Sequence, residues 1–204
     1  MGKMLDEEAF KFLAKPENWQ VAVTIENFML QARKRALNDL WDRVCGNLNE
    51  TIPTNSEPQV LKLDSPPYRL VGLYKKNWTE ENWKGNKGNV VICIELYTTK
   101  ERFMPDSISL GVGVPYLTPA EIPTLKSCKD FLQEHVRCSG LSIRSDSTWW
   151  FAARELKSKE DLSKLPTLGQ EGINCLAKEM SDRVLELFRS LGETINNYFN
   201  KILT

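Results

Sequence analysis

From Ile173 to Ile202 apolar side chains return every three or four residues: Ile173, Leu176, Ala177, Met180, Val184, Leu187, Phe188, Leu191, Ile195, Tyr198, Phe199 and Ile202. That period is the α-helical one, and a stripe held for roughly thirty residues predicts a helix about 45 Å long. So long an apolar face needs a large surface to cover it. A second stretch, Glu17 to Leu48, repeats the pattern through Trp19, Ile25, Phe28, Leu37, Leu40, Trp41 and Val44, with Pro16 near its start and Gly46-Asn47 near its end. A short helix over residues 5–14 is expected to precede it. The two long helices are expected to pack together, and a homodimer seam through the terminal helix is the alternative use of its stripe.

Between the helices the period changes to two. Tyr68–Tyr74, Asn89–Tyr97 and Ser107–Val114 are short, rich in β-branched and aromatic residues, and bounded by Gly, Pro or Asn. Their connections are too short for parallel crossovers, so an antiparallel meander is predicted. A helix over 124–137 and a fourth strand from Thr148 to Leu156 follow. Residues 50–67, with Pro53, Pro58, Pro66 and Pro67, are expected to form a loop. The predicted class is α+β: one domain over residues 1–204, in which 1–49 are helical, 50–67 are the Pro-rich loop, and 68–204 carry about four antiparallel strands with their helices.

Composition narrows the functional classes. Lys plus Arg and Asp plus Glu number 27 each, so no global field attracts a polyanion, and a bulk-electrostatic nucleic-acid coat is excluded. Five cysteines without a Cys-x-x-Cys pair suit a reducing compartment, and a single histidine, His135, makes a structural zinc site improbable. With neither an apolar leader nor a membrane-length apolar run, the expected location is cytoplasmic, with no membrane partner.

Three groups of residues invite chemistry. Lys75, Lys76, Trp78, Trp83, Lys84 and Lys87 interleave two indoles with four ammonium groups, the combination that stacks on and neutralises single-stranded nucleic acid, and Trp78 and Trp83 are expected to be exposed contact residues. On the third strand Ser107, Ser109, Gly111 and Gly113 share a face nearly devoid of side chains, which either a packed backbone or a ligand approaches closely. Glu95 stands among apolar residues on the middle strand. It is expected either to pair with Arg69, Lys75 or Arg154 or to be pushed up in pKa by burial. A fourth pattern, Asp106 followed by Glu155 and Lys157, has the order of acidic and lysine residues that binds Mg²⁺ and orients water in restriction-type nucleases.

The helix carrying Leu40-Trp41, the strand Val91-Ile92-Cys93-Ile94-Glu95-Leu96 and the stretch Ser147-Thr148-Trp149-Trp150 occur in an order that resembles the region following the catalytic core in poorly characterised bacterial PD-(D/E)XK-superfamily proteins. Several of those are associated with defence against phage. The resemblance spans residues 10–203 and implies a non-catalytic accessory domain without a cofactor. The expected function is therefore a recognition or sensing module for a protein, nucleic acid or small ligand, using the Trp78/Trp83 loop, Glu95 and the Gly111/Gly113 face. The alternative is a Mg²⁺-dependent nuclease built on Asp106, Glu155 and Lys157.

Overall fold

The computed structural model describes residues 2–53, 56–65, 68–81, 87–98, 105–115, 130–132, 135–136, 139–144 and 150–202. In chain order these form α1 (Gly2–Leu13), α2 (Pro16–Thr51), β1 (Gln59–Ser65), β2 (Tyr68–Tyr74), β3 (Thr79–Glu81), β4 (Lys87–Asn89), β5 (Val91–Thr98), β6 (Pro105–Gly113), β7 (Ser142–Ile143), β8 (Trp150–Ser158), α3 (Lys159–Ser163) and α4 (Gly169–Ile202). Of the expected helix over 124–137, residues 130–132 and 135–136 are helical and the rest lie outside the described residues.

The architecture is α+β, with long helices at both ends of the chain and an open antiparallel sheet between them. Six strands, in the order β1-β2-β5-β6-β8-β7, make the main sheet, and β3 pairs with β4 in a separate hairpin. The meander extends further than the four strands expected. The Pro-rich segment 50–67 is not all loop, because β1 occupies the proline-free stretch between Pro58 and Pro66. Proline is compatible with a strand's margin and with an outer strand, where no ladder hydrogen bond is lost. β8 is described from Trp150 to Ser158, and the expected start at Thr148 lies outside the described residues.

Both faces of the central strands are covered. Val71, Leu73, Ile92, Ile94, Leu96, Ile108, Leu110 and Val112 point to one side, where they join Leu40, Trp41, Val44 and Leu48 of α2 and Ala177, Met180, Val184 and Leu191 of α4 in the principal core. Leu70, Val91, Cys93, Trp150 and Ala153 form a smaller apolar cluster on the reverse side. The stripe of α4 is thus spent inside its own chain, which leaves that helix with no large exposed apolar side chain among the described residues. A dimer seam through α4 would have to take those residues out of the core.

Hydrogen bonds fix how the long helices lie. Gln170 Nε2 donates to Asp39 Oδ2 at 3.2 Å, Arg43 Nη1 donates to Asn174 Oδ1, and Asn47 Nδ2 donates to Ser181 Oγ at 3.4 Å. Rising numbers meet rising numbers, so the second half of α2 runs parallel to the first half of α4. A reciprocal cap between Ser158 and Asp161 starts α3, and these hydrogen bonds hold the Asp161 carboxyl below its usual range.

Candidate functional site

The 75–88 connection does not present both of its tryptophans. Trp78 is fully buried and stacks on Phe188 of α4, with ring centroids 5.6 Å apart. Its backbone ties the connection down, because Trp78 N donates to Lys75 O at 3.0 Å and Val90 N to Trp78 O at 2.9 Å. Asn77 adds a side-chain bond to Asn196 Oδ1 of α4 at 3.0 Å. Trp78 is therefore a core residue, and the expectation that it meets a partner is corrected: the turn directs its ring back under the sheet, where it finds Phe188. Lys75 is half-buried and Lys76 is exposed; Trp83, Lys84 and the side chain of Lys87 lie outside the described residues.

The smooth face of β6 is already occupied. A Cβ added to Gly111 would meet Ala152 O, Ala153 Cα at 2.8 Å and the Trp150 ring at 2.8 Å. Trp150 reaches this place because β8 carries an irregularity between its pairing with Val112 and with Gly113, which sets the indole opposite Gly113. The atoms nearest to Gly111 among the described residues belong to β8, and Gly113 is buried beside it. Glycine is required here by the indole of a neighbouring strand.

The nuclease pattern is pulled apart by a second irregularity. Ser109 pairs with Glu155 and Ile108 with Lys157, so Leu156 is an extra residue in β8. Residues two apart on a strand ordinarily share a face, but a bulge reverses that parity. Lys157 consequently lies on the side of Ile108 and α4, where its Nζ meets Glu179 Oε2 at 3.1 Å. Glu155 lies on the side of Ser109 and is exposed. The two are not brought together, and the side chain of Asp106, in β6, lies outside the described residues. Among the described residues no three His, Cys, Asp or Glu side chains converge. A shallow cavity of about 340 Å³ adjoins Lys157 and is lined also by Asp161, Lys164, Cys175 and Glu179, two cations against two anions.

Glu95 is the most unusual ionisable residue. It is 6% exposed and lies between Leu70 of β2 and Ser109 of β6. Trp150 Nε1 donates to its Oε2 at 2.8 Å, while Oε1 is buried without a hydrogen-bond partner among the described residues. Burial pushes the carboxyl up to about 7, against the opposing pull of the indole hydrogen bond. Cys93, two residues earlier on the same face, is raised well above the usual thiol range by burial and then by the nearby carboxylate. None of the three expected cations pairs with Glu95. Arg69 faces Leu96 and Arg154 faces Leu110, both on the opposite side of the sheet, and Arg69 is taken by Asp64 at 2.9 Å and Asn38 at 2.5 Å. The site holds one proton near neutrality in an otherwise apolar setting.

Another kind of site lies at the start of the chain. No described residue before Leu37 is buried, although α2 begins at Pro16. Phe10, Phe12, Trp19, Val21, Ile25, Phe28 and Met29 are large exposed apolar side chains. At 3.6 residues per turn, Val21, Ile25, Phe28 and Ala32 form a stripe roughly 150° around the axis from the buried one formed by Leu37, Leu40, Trp41, Val44 and Leu48. Trp19, Val23 and Leu30 continue the buried stripe beyond the end of the core. The first half of α2 is therefore apolar on two sides, a pattern characteristic of helices covered on more than one side.

No protein-family model, curated protein or solved structure matches this chain.

The N-terminal arm was hidden from sequence reasoning because spacing of three and four records that a helix is amphipathic without recording which face each residue takes. A detectable signal is nevertheless present. Between Asn18 and Ala32 the sole ionisable side chain is Glu26, so this stretch lacks the charged face that a solvated helix normally carries.

Proposed function

We propose that the chain is a docking module, whose folded body of sheet and helices displays an apolar helical arm to another protein surface. The observation that carries this reading is the exposure of Phe10, Phe12, Trp19 and Phe28 on α1 and the first half of α2. Aromatic side chains supply large contact area for little rotamer entropy and dominate the energetics of interfaces. The reading agrees with the accessory role implied by the likeness of Leu40-Trp41 and Val91–Leu96 to the region after the catalytic core of PD-(D/E)XK proteins, and a phage-defence nuclease assembly is the setting it suggests. Free thiols at Cys45, Cys93 and Cys175 support a reducing, cytoplasmic location. No helix among the described residues is long and apolar enough to cross a membrane.

The test is a photo-crosslinking amino acid at position 28 in the native cell. One discrete protein adduct is expected, and it should vanish when Ile25→Asp is added, because a charge in the stripe removes the contact while leaving the buried core untouched. A diffuse smear of adducts, or one discrete adduct that survives Ile25→Asp, would overturn the docking reading.

A further inference from the structure

We infer that the protein met by the arm is a second copy of this chain, packed antiparallel to the first about Ile25; the inference rests on the docking reading. Identical surfaces joined by a twofold axis must be complementary to themselves. The exposed stripe meets that condition when it is reversed upon itself. Residues equidistant from Ile25 come opposite one another, so Val21 meets Met29 and Asn18 meets Ala32.

Charge selects the direction. Arg33 and Arg35 flank the stripe while Lys34 points away from it, so in a parallel pair Arg33 would face Arg35 of the second copy across the seam, a like-charge contact that costs stability. Reversal moves that basic run to the height of Lys15, Pro16 and Glu17, with Arg35 on the same flank of the seam as Glu17. From Asn18 to Ala32 the single ionisable residue, Glu26, lies away from the stripe, so no buried charge opposes pairing.

The stripe about Ile25 stands open to water: Phe28 is 74% exposed, and Val21, Ile25 and Met29 are each near half exposed. Trp19 lies on the other side of α2 and takes no part in this seam.

Sedimentation equilibrium of the full chain over roughly two decades around micromolar concentration decides the matter. The expected result is a species of twice the 23.4 kDa chain mass that reverts to the single mass in Ile25→Asp with unchanged Tm. A dimer that persists in Ile25→Asp overturns the inference. Monomer at every concentration also overturns it. In that case an adduct from position 28 to a different protein leaves the docking reading standing, and absence of any adduct removes both. Direction is read separately by oxidation with copper phenanthroline, alongside the parent because Cys175 is exposed. Mixed with one another, Val21→Cys and Met29→Cys chains should cross-link, whereas Val21→Cys alone should match the parent. A Val21→Cys chain that cross-links to itself, as a parallel pair requires, overturns the antiparallel arrangement.

Discussion

Replacing Glu95 by Gln removes a proton-binding group while keeping an oxygen that accepts from the Trp150 indole. In the folded chain burial raises the Glu95 carboxyl from an ordinary 4.5 to about 7. A carboxyl with a raised folded-state pKa binds its proton more tightly folded than unfolded, so the parent is most stable when Glu95 is protonated. Stability then falls as pH rises from the unfolded value through the folded one, and above about 7 the loss is complete. One pKa unit corresponds to about 1.4 kcal/mol, so integrating the two titrations from pH 5 to pH 8 gives a loss of about 2–3 kcal/mol attributable to this residue. Glu95→Gln has no such titration. Urea melts of parent and variant at pH 5, 6, 7 and 8 isolate the effect, because all other ionisable groups cancel in the difference. With a slope of about 2–3 kcal/mol per molar, the difference between the two midpoints should move by about 1 M across that range, in favour of the variant at high pH. Midpoints that stay parallel at all four pH values would show that the carboxyl ionises normally in the folded chain, and the account of its apolar surroundings would be wrong.

Two further substitutions probe the residues whose roles the fold reassigns. Trp78→Ala removes a fully buried ring stacked on Phe188 and should lower stability by about 3–5 kcal/mol; a loss below about 1 kcal/mol in a chemical melt would return Trp78 to the surface. Gly111→Val would force a branched side chain into the Trp150 ring and the β8 backbone, and should abolish soluble folded protein or cost more than about 3 kcal/mol. A folded, near-native variant would mean that the indole does not lie across Gly111.

Much of the fold was legible because it rests on periodicity. The stripe of α4 and the alternation in β2, β5 and β6 are each carried by consecutive residues, and the sides they define are the sides observed. Glu95 stood out for the same reason, as a carboxylate in a run of apolar neighbours. Its partner was not legible, since Trp150 reaches Glu95 only through the irregularity that puts the indole opposite Gly113, and such extra residues leave no mark in alternation. The same cause defeats the acidic-lysine pattern: Glu155 and Lys157 share a face in any regular strand, and the extra Leu156 separates them. β1 was concealed by proline content, because a window that counts Pro53, Pro58, Pro66 and Pro67 together misses that they bracket Val60-Leu61-Lys62-Leu63 without interrupting it. In the arm, spacing revealed the helix, and only burial revealed that Val21, Ile25 and Phe28 have no cover within the chain.

The margins of the main sheet have a consequence for how copies of this protein can aggregate. A long bare strand invites endless stacking of one molecule's backbone on the next, the route to fibrils. Here β7 offers two residues. β1 is hemmed by proline at both ends, carries Lys62 and Asp64, and is tethered to α2 through the 2.6 Å contact of Lys62 with Asp42. Open-ended growth along the ladder is thus discouraged at both borders, which reserves association for the helical arm, where twofold pairing terminates after two chains.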